Sequence, residues 1–293
     1  MHRVQGSQKG CYLLILPSII VLFVVTIIPF AYLFGTSFTP LDLTRPETRQ
    51  FGGLINYREL LHDYRFWNSV WVQIRLSVAT VSLQMLIGLV IALILNSGLR
   101  FIELIRAIFL IPMVLPPVVV AIIWKILFTP GVSILNWILG LVHLPQPAWL
   151  THPTLALLAI VVGDVWEWFP FTMLMFLASL QMIPDEPLEA ARIDGASYFQ
   201  TLFYIILPNL KPIMIVAGLF RLIDSIKAFP LIFIMTAGGP GMATEATNYY
   251  AYLQGLSYSF VGYSSAISVV MLVFTFFLSY LIVKTVGTEV EVE

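Results

Sequence analysis

Six long apolar stretches restrict what this chain can fold into more than any other feature of its sequence. They cover residues 13–37, 71–95, 105–128, 155–181, 208–233 and 263–285. Each reaches the length of about 20 residues that a helix needs to cross the hydrocarbon core of a bilayer. Open strands cannot cross lipid because their backbone polar groups would lack partners, and the two-residue alternation of a transmembrane barrel is absent. The sequence therefore predicts an all-α, polytopic membrane protein with six transmembrane helices.

Composition supports a chain that is solvated by lipid. Of the 293 residues, 59% are hydrophobic and only 11% are charged, whereas a soluble domain carries about 25% charged residues. The net charge of −1 predicts no nucleic-acid partner, and the single cysteine, Cys11, excludes an intramolecular disulfide. The first apolar run, from Cys11 to Phe38, is longer than the core of a signal peptide and lacks a cleavage site, so we interpret it as a retained helix.

The distribution of basic residues favours an N-terminus on the inner side of the membrane, but only weakly. An even number of spans places both termini on one side. With that side inside, the inner segments hold Arg3, Lys9, Arg100, Arg106, Arg192, Lys211 and Lys284, and the outer loops hold Arg45, Arg49, Arg58 and Arg65. Arg75, Lys125 and Lys227 lie near outer helix ends and reduce this bias.

The outer loops are long and contain no soluble domain. The first, about 38–70, contains NYRELLHDYRFW, which predicts an interfacial amphipathic helix with Asn56 as its N-cap. The second contains LPQPAWLTHP and the third contains TAGGPGMATEAT, both rich in turn residues. No internal repeat is visible. We therefore expect residues 1–293 to form a single transmembrane domain with a core at about 70–285.

A polar segment at 184–207 interrupts the apolar sequence between the fourth and fifth spans. Pro184 should end the fourth span, Pro187 fits the first turn of a new short helix, and Gly195 can end that helix with a positive φ. Ser197 and Gln200 form a capping box for a second short helix, which should end at Pro208. The pattern predicts two short helices joined at an angle, which suit either a docking element or a plain interhelical loop.

The same segment resembles the EAA signature of ABC-importer permeases. Glu189, Ala190 and Ala191 are followed at the family's spacing by Gly195 and then by the sequence Ile205-x-Leu207-Pro208. The extended form of the sugar-transporting group, with Asp194 and Phe199, is also present. LPSIIVLFVVTIIPFAYLFGTSF, GLINYRELLHDYRFWNSV, LIPMVLPPVVVAIIWKILFTPGVSILN and TAGGPGMATEATNYYAY are likewise similar to segments of the maltose-permease-like, binding-protein-dependent carbohydrate group.

This resemblance implies a type I ABC-importer permease fold in the plasma membrane of a bacterium or archaeon, with both termini cytoplasmic. The EAA loop would be a cytoplasmic coupling helix seated in a cleft of an ATP-binding subunit. Its implied coupling residues are Glu189, Ala190, Ala191, Asp194 and Gly195. The implied partners are two ATP-binding subunits, an extracytoplasmic solute-binding protein, membrane lipid, and a second related permease or a second copy of this chain.

Charged residues within the spans are candidates for the substrate path, because ionisable groups in a membrane are costly and usually functional. Asp164 and Glu167 share one helix face, and Arg221 and Asp224 share another. Matching depth predicts an ion pair between Glu167 and Arg221, while Trp168 could stack on a sugar ring. These groups either line the path or only lock the fourth and fifth spans together.

No catalytic or metal-binding pattern is present. The chain lacks GxxxxGK[ST] and HExxH, and His2, His62, His143 and His152 are scattered. We therefore expect no enzyme activity, with ATP and Mg²⁺ held by partner subunits. The predicted function is uptake of a sugar, polyol or related solute by alternating access. An ion- or proton-coupled transporter using Asp164, Glu167 and Asp224 is the alternative, and a membrane enzyme is a third class.

Overall fold

In a computed structural model of the chain, the backbone is described for residues 8–96 and 102–290. Arg3 and Arg100, which belong to the charge count above, lie outside these residues. The described part contains helices and no β-strand beyond an isolated bridge between Asp42 and Arg45. The α-helices are α1 (Gln8–Ser37), α2 (Ile55–His62), α3 (Tyr64–Leu95), α4 (Ile102–Val114), α5 (Pro117–Phe128), α6 (Ile134–Leu141), α7 (Pro153–Leu180), α8 (Asp185–Ile193), α9 (Tyr198–Ile226), α10 (Thr247–Tyr252) and α11 (Val261–Val290). Short 3-10 or π-helical segments lie at Pro46–Thr48, Ile232–Thr236 and Leu253–Ser257.

Five of the described helices, α1, α3, α7, α9 and α11, are long and apolar enough to cross a membrane. The predicted spans at 13–37, 155–181 and 263–285 fall on α1, α7 and α11. The predicted span at 71–95 begins earlier, at Tyr64. The all-α, membrane-spanning prediction is confirmed.

The predicted span at 105–128 is not one straight helix. It consists of α4 and α5, which meet at an angle of 94°. Pro116 and Pro117 explain the break, because neither can donate a backbone hydrogen bond and a proline disfavours the α conformation of the residue before it. Counting this bent pair as one span gives six spans in the described residues, and otherwise there are five.

The predicted end of the second short helix at Pro208 is wrong. Helix α9 runs through this proline without interruption for 29 residues, from Tyr198 to Ile226. The turn before it, Leu202–Ile206, is π-helical, with the backbone N–H of Leu207 donating to the carbonyl of Leu202. This wider turn accommodates the proline, whose ring and missing N–H are incompatible with a regular α-helical turn. The helix that contains the fifth span therefore begins in the polar segment and ends at Ile226, short of the predicted 233.

One compact unit comprises the chain up to Asp63 together with Ala251–Leu272. Asn56 is only 3% exposed and donates from Nδ2 to the carbonyls of Ser37 and Thr39, both at 2.8 Å. Asn56 therefore anchors the segment that follows α1 through buried hydrogen bonds. Its predicted role as an N-cap is wrong, since Leu54 occupies that position. The predicted interfacial helix is also divided, because α2 ends at His62 and α3 begins at Tyr64.

A second compact unit comprises Tyr64–Tyr250 and the chain from Val273 onward. Its centre is the packing of α3 against α7, with α9 packed against both helices and α4 packed against α7. The buried apolar core is Ala92, Leu95, Phe169, Met173, Phe176, Leu177, Leu180, Leu210 and Ala217. Burial of these apolar side chains determines which face of α7 packs against α3 and α9.

Gly88 sets the distance between α3 and α7. A Cβ atom at this position would lie 2.1 Å from Oγ1 of Thr172 and 2.8 Å from the backbone nitrogen of Met173. We expect Gly88→Ala to destabilise the protein by about 1–3 kcal/mol, because the backbone of α7 must move. Gly218→Ala in α9 is the matched control, since its Cβ would meet only Cε of Met85 at 3.8 Å. Thermal unfolding in detergent should show a lower midpoint for Gly88→Ala alone, and equal midpoints would contradict the close packing.

Candidate functional site

The polar segment forms an exposed elbow, which we define as residues 184–200. Helix α8 begins after Pro184, with Asp185 and Glu186 in its first turn and Arg192 in its last. These charges suit the two ends of the helix dipole. Glu189 and Ala190 are exposed, while Ala191 is buried.

The turn of the elbow is built as the sequence predicts. Gly195 has a φ of +76°, and Asp194 is the C-cap of α8. The capping box is present: the backbone N–H of Ser197 donates to Oε1 of Gln200 at 2.7 Å, and that of Gln200 donates to Oγ of Ser197 at 3.4 Å. The elbow therefore has a defined geometry at both of its helix ends.

The elbow carries apolar side chains that the chain itself does not cover. Ile193 is 85% exposed and Phe199 is 67% exposed. Beside the turn lies a cavity of about 270 Å³, lined by Asp194, Gly195, Ala196, Gln200, Thr201, Tyr204 and Ile205. Large exposed apolar side chains next to a polar, rigid helix are typical of a protein–protein contact surface.

The intramembrane charges converge on Arg221 of α9, which is 1% exposed. Its Nη2 lies 3.9 Å from Oδ2 of Asp164 on α7, and its Nη1 donates to Oδ2 of Asp224 at 3.3 Å. Its guanidinium carbon lies 4.6 Å from the ring centroid of Trp168, a cation–π contact. The structure thus places three of the other four predicted path residues around the Arg221 cation.

The predicted pair between Glu167 and Arg221 is wrong. Glu167 is 1% exposed and its Oε2 has no hydrogen-bond partner in the described part of the chain. Equal depth along two helices favours that pair, but the facing carboxylate is set by rotation about the helix axis, and α7 turns Asp164 toward Arg221 instead.

Gln84 of α3 is the central residue that we did not predict. It is fully buried, donates from Nε2 to Oδ2 of Asp164 at 2.8 Å, and accepts from Nε of Arg221 at 2.9 Å. It therefore ties three helices together. A signal exists in the sequence: Gln73, Ser77, Thr80 and Gln84 recur at helical spacing in an otherwise apolar span, and all four are buried.

A second unpredicted ion pair lies at the start of α3. Arg65 donates from Nε and Nη2 to the two carboxylate oxygens of Glu245, at 2.7 and 2.8 Å. Glu245 is 2% exposed, and Asn68 donates to the carbonyl of Met242 nearby. These contacts fasten the Gly- and Pro-rich loop at 237–246 to α3. No cluster of metal-ligating side chains occurs in the described residues.

Comparisons with known proteins agree with these features. The family described as "Binding-protein-dependent transport system inner membrane component" matches residues 84–286. The trehalose/maltose transport system permease protein MalF of Thermococcus litoralis is 40% identical over 284 residues, covering 94% of this chain and 92% of that protein. The sulfoquinovosyl glycerol transport system permease protein SmoG of Agrobacterium fabrum is 32% identical over 284 residues, covering 97% and 92%.

A solved structure shares the fold. A bacterial alginate ABC transporter, crystallised in complex with its alginate pentasaccharide-bound periplasmic protein, superimposes with a TM-score of 0.82 at 20% identity, covering 96% of each chain. With the family match over more than half of the sequence, this chain belongs to the inner membrane components of binding-protein-dependent transport systems.

Proposed function

We propose that the protein is the transmembrane subunit of an ATP-driven importer that moves a sugar, polyol or related carbohydrate solute across the plasma membrane. Family membership makes it a transport component. The names of its relatives, which refer to trehalose, maltose and a sulfoquinovosyl glycoside, support a carbohydrate solute. The resemblance of the outer loops to the carbohydrate group points the same way.

The observation that carries this proposal is the elbow. It combines an exposed Glu189, an uncovered Ile193 and a rigid turn at Gly195 in a chain that has no phosphate-binding loop of its own. In our proposal, Glu189 contacts a basic residue of an ATP-binding subunit, and Ala190 allows close approach. Asp194 and Gly195 fix the angle of the turn. Closure of two ATP-binding subunits would then move the helix bundle between its outward- and inward-open states.

The remaining partners follow from the same mechanism. A solute-binding protein delivers the solute to the outer loops, and a second related permease, or a second copy of this chain, completes the pore. ATP and Mg²⁺ bind to the ATP-binding subunits and not to this chain. The elbow and both termini lie in the cytoplasm.

The substrate path runs past the cluster of Asp164, Trp168, Arg221 and Asp224. Asp224 has a half-exposed side chain at the open side of this cluster, and carboxylates and an indole ring are the groups that bind sugar hydroxyls and sugar faces. Glu167 adds an unpartnered acceptor next to them.

Energy coupling separates this proposal from the alternative of an ion- or proton-coupled transporter. Solute accumulation by cells that contain the complete transporter should cease when the phosphate-binding-loop lysine of the ATP-binding partner is replaced by alanine. It should persist when a protonophore collapses the proton gradient while ATP is maintained. The reverse pattern would establish the secondary transporter, with Asp164, Glu167 and Asp224 as relay groups.

A further inference from the structure

Each of the three guanidinium nitrogens of Arg221 already faces a polar side chain of this chain. Its Nε donates to Oε1 of Gln84 at 2.9 Å, Nη1 faces Asp224 at 3.3 Å, and Nη2 faces Asp164 at 3.9 Å. Its flat face lies against the ring of Trp168. An incoming anion would have to approach two carboxylates to reach a cation that is only 1% exposed. Arg221 is therefore a poor binding site for a phosphate, carboxylate or sulfonate.

The charge around Arg221 is also unfavourable for an anion. Asp164 and Asp224 place two carboxylates against one guanidinium. Glu167 is a third carboxyl group one helical turn from Asp164. The next cation is Lys227, three residues beyond Asp224, and its side chain is exposed. Even with Lys227 included, acids outnumber bases in this part of the spans.

A solute on the open side of the cluster would contact the carboxylate of Asp224, a hydrogen-bond acceptor, and the indole ring of Trp168. Asp224 has 51% of its side chain exposed and Trp168 is partly buried, whereas Asp164 and Arg221 are not accessible. Sugar hydroxyls donate hydrogen bonds to a carboxylate, and the C–H face of a sugar packs on an indole ring. An anionic solute would instead bring a like charge to within contact of Asp224 in a region of low dielectric.

From this arrangement we propose that the transported solute is an uncharged polyhydroxylated molecule, and that the cluster selects against sugar phosphates, uronates and sulfonated sugars. The inference rests on the proposed substrate path. The relatives do not decide the matter, because trehalose and maltose are uncharged and a sulfoquinovosyl glycoside carries a sulfonate. The decisive groups are this chain's own carboxylates and the inaccessibility of the guanidinium beside them.

Charged thiol reagents measure the potential at the cluster directly. Cys11 is the single cysteine of the chain, so Cys11→Ser removes every other thiol from this subunit, and labelling is measured on this subunit alone. Phe220→Cys then places one thiol one turn from Asp224, at a position that is 53% exposed. The assembled transporter is reacted with a trimethylammonium-ethyl and a sulfonatoethyl methanethiosulfonate. The rate with the cationic reagent is divided by the rate with the anionic reagent. This ratio is then divided by the same ratio measured for a free thiol in solution, which gives the corrected ratio.

We expect the corrected ratio to favour the cationic reagent by at least about tenfold. Adding Asp224→Asn should reduce it by at least about threefold. A thiol at the loop residue Leu144, which is 53% exposed, is the control and should give a ratio nearer that of the free thiol. Val216→Cys, two turns from Asp224 and 42% exposed, repeats the measurement if Phe220→Cys assembles poorly.

A corrected ratio near one, or one that favours the anionic reagent, would overturn the inference. A different result would overturn the substrate path itself: if both reagents label the thiol at Leu144 but neither labels Phe220→Cys or Val216→Cys in any nucleotide state, water does not reach this face. The two failures are therefore distinguishable, since the first concerns the sign of the charge and the second concerns access.

Discussion

Replacing Arg221 by methionine should destabilise the protein by about 3–5 kcal/mol, because it leaves the carboxylate of Asp164 buried without its cation. Both side chains are almost inaccessible, at 1% and 5% exposure. Gln84 can still donate to Asp164, but it loses the N–H of Arg221 that it accepts. The expected result is a lower thermal midpoint and little assembled transporter in the membrane, measured by size-exclusion chromatography after solubilisation.

The double variant Arg221→Met/Asp164→Asn separates the two roles considered for this cluster. Asparagine removes the uncompensated charge and keeps an oxygen for Gln84, so we expect at least about half of the lost stability to return. If the cluster lines the substrate path, the transporter that contains the double variant should assemble and its ATP-binding subunits should hydrolyse ATP in the absence of solute, but it should transport solute poorly. Transport at the wild-type rate by this assembled variant would show that the charges only lock the helices together.

Replacing Gly195 by leucine together with Glu189 by arginine should lower solute uptake by at least about tenfold, equivalent to more than about 1.4 kcal/mol of lost coupling. Gly195 has a φ of +76°, which costs a leucine about 1–2 kcal/mol. Glu189 is exposed, so its charge reversal acts on a partner and not on the core. The assembled amount of this subunit alone should change little.

Gly131→Leu is the matched control for this second prediction. Gly131 also has a positive φ, +86°, and at both Gly131 and Gly195 an added Cβ atom would have no other atom within 4 Å. Gly131 lies between α5 and α6, away from the elbow in sequence. Equal losses of uptake in both variants would assign the effect to backbone strain. Undiminished accumulation in the Glu189 and Gly195 variant, or crosslinking that places the elbow outside the cell, would refute the coupling role.

Much of the fold was predictable because lipid permits so few solutions. A stretch of about 20 apolar residues has to become a helix in a bilayer, so α1, α7 and α11 follow from hydrophobicity alone. The capping box at Ser197 and the positive φ of Gly195 were also predictable, since both depend only on neighbouring residues. The prediction that Pro208 ends a helix failed because a single π turn can absorb a proline.

The charged members of the candidate site were predictable, but the pairing among them was not. Hydrophobicity marks Asp164, Arg221 and Asp224 as exceptional, because each is a charge in an apolar span. Which acid meets Arg221 depends on helix rotation and crossing angle, which a single sequence does not encode in any local pattern. Gln84 was missed for a related reason: an uncharged amide draws less attention than a charge, although its position on a polar stripe of α3 was visible.

Helix α9 runs without interruption from the elbow to the ion-pair cluster, so it connects these two sites mechanically. From Tyr198, beside the capping box, to Arg221 is about 35 Å at 1.5 Å per residue. A rotation of the elbow by about 10° would therefore displace the guanidinium by ~6 Å if the helix stays straight. That distance is enough to part Arg221 from Asp164 on α7, so in the proposed transport cycle work done at the elbow would open one ion pair between α9 and α7.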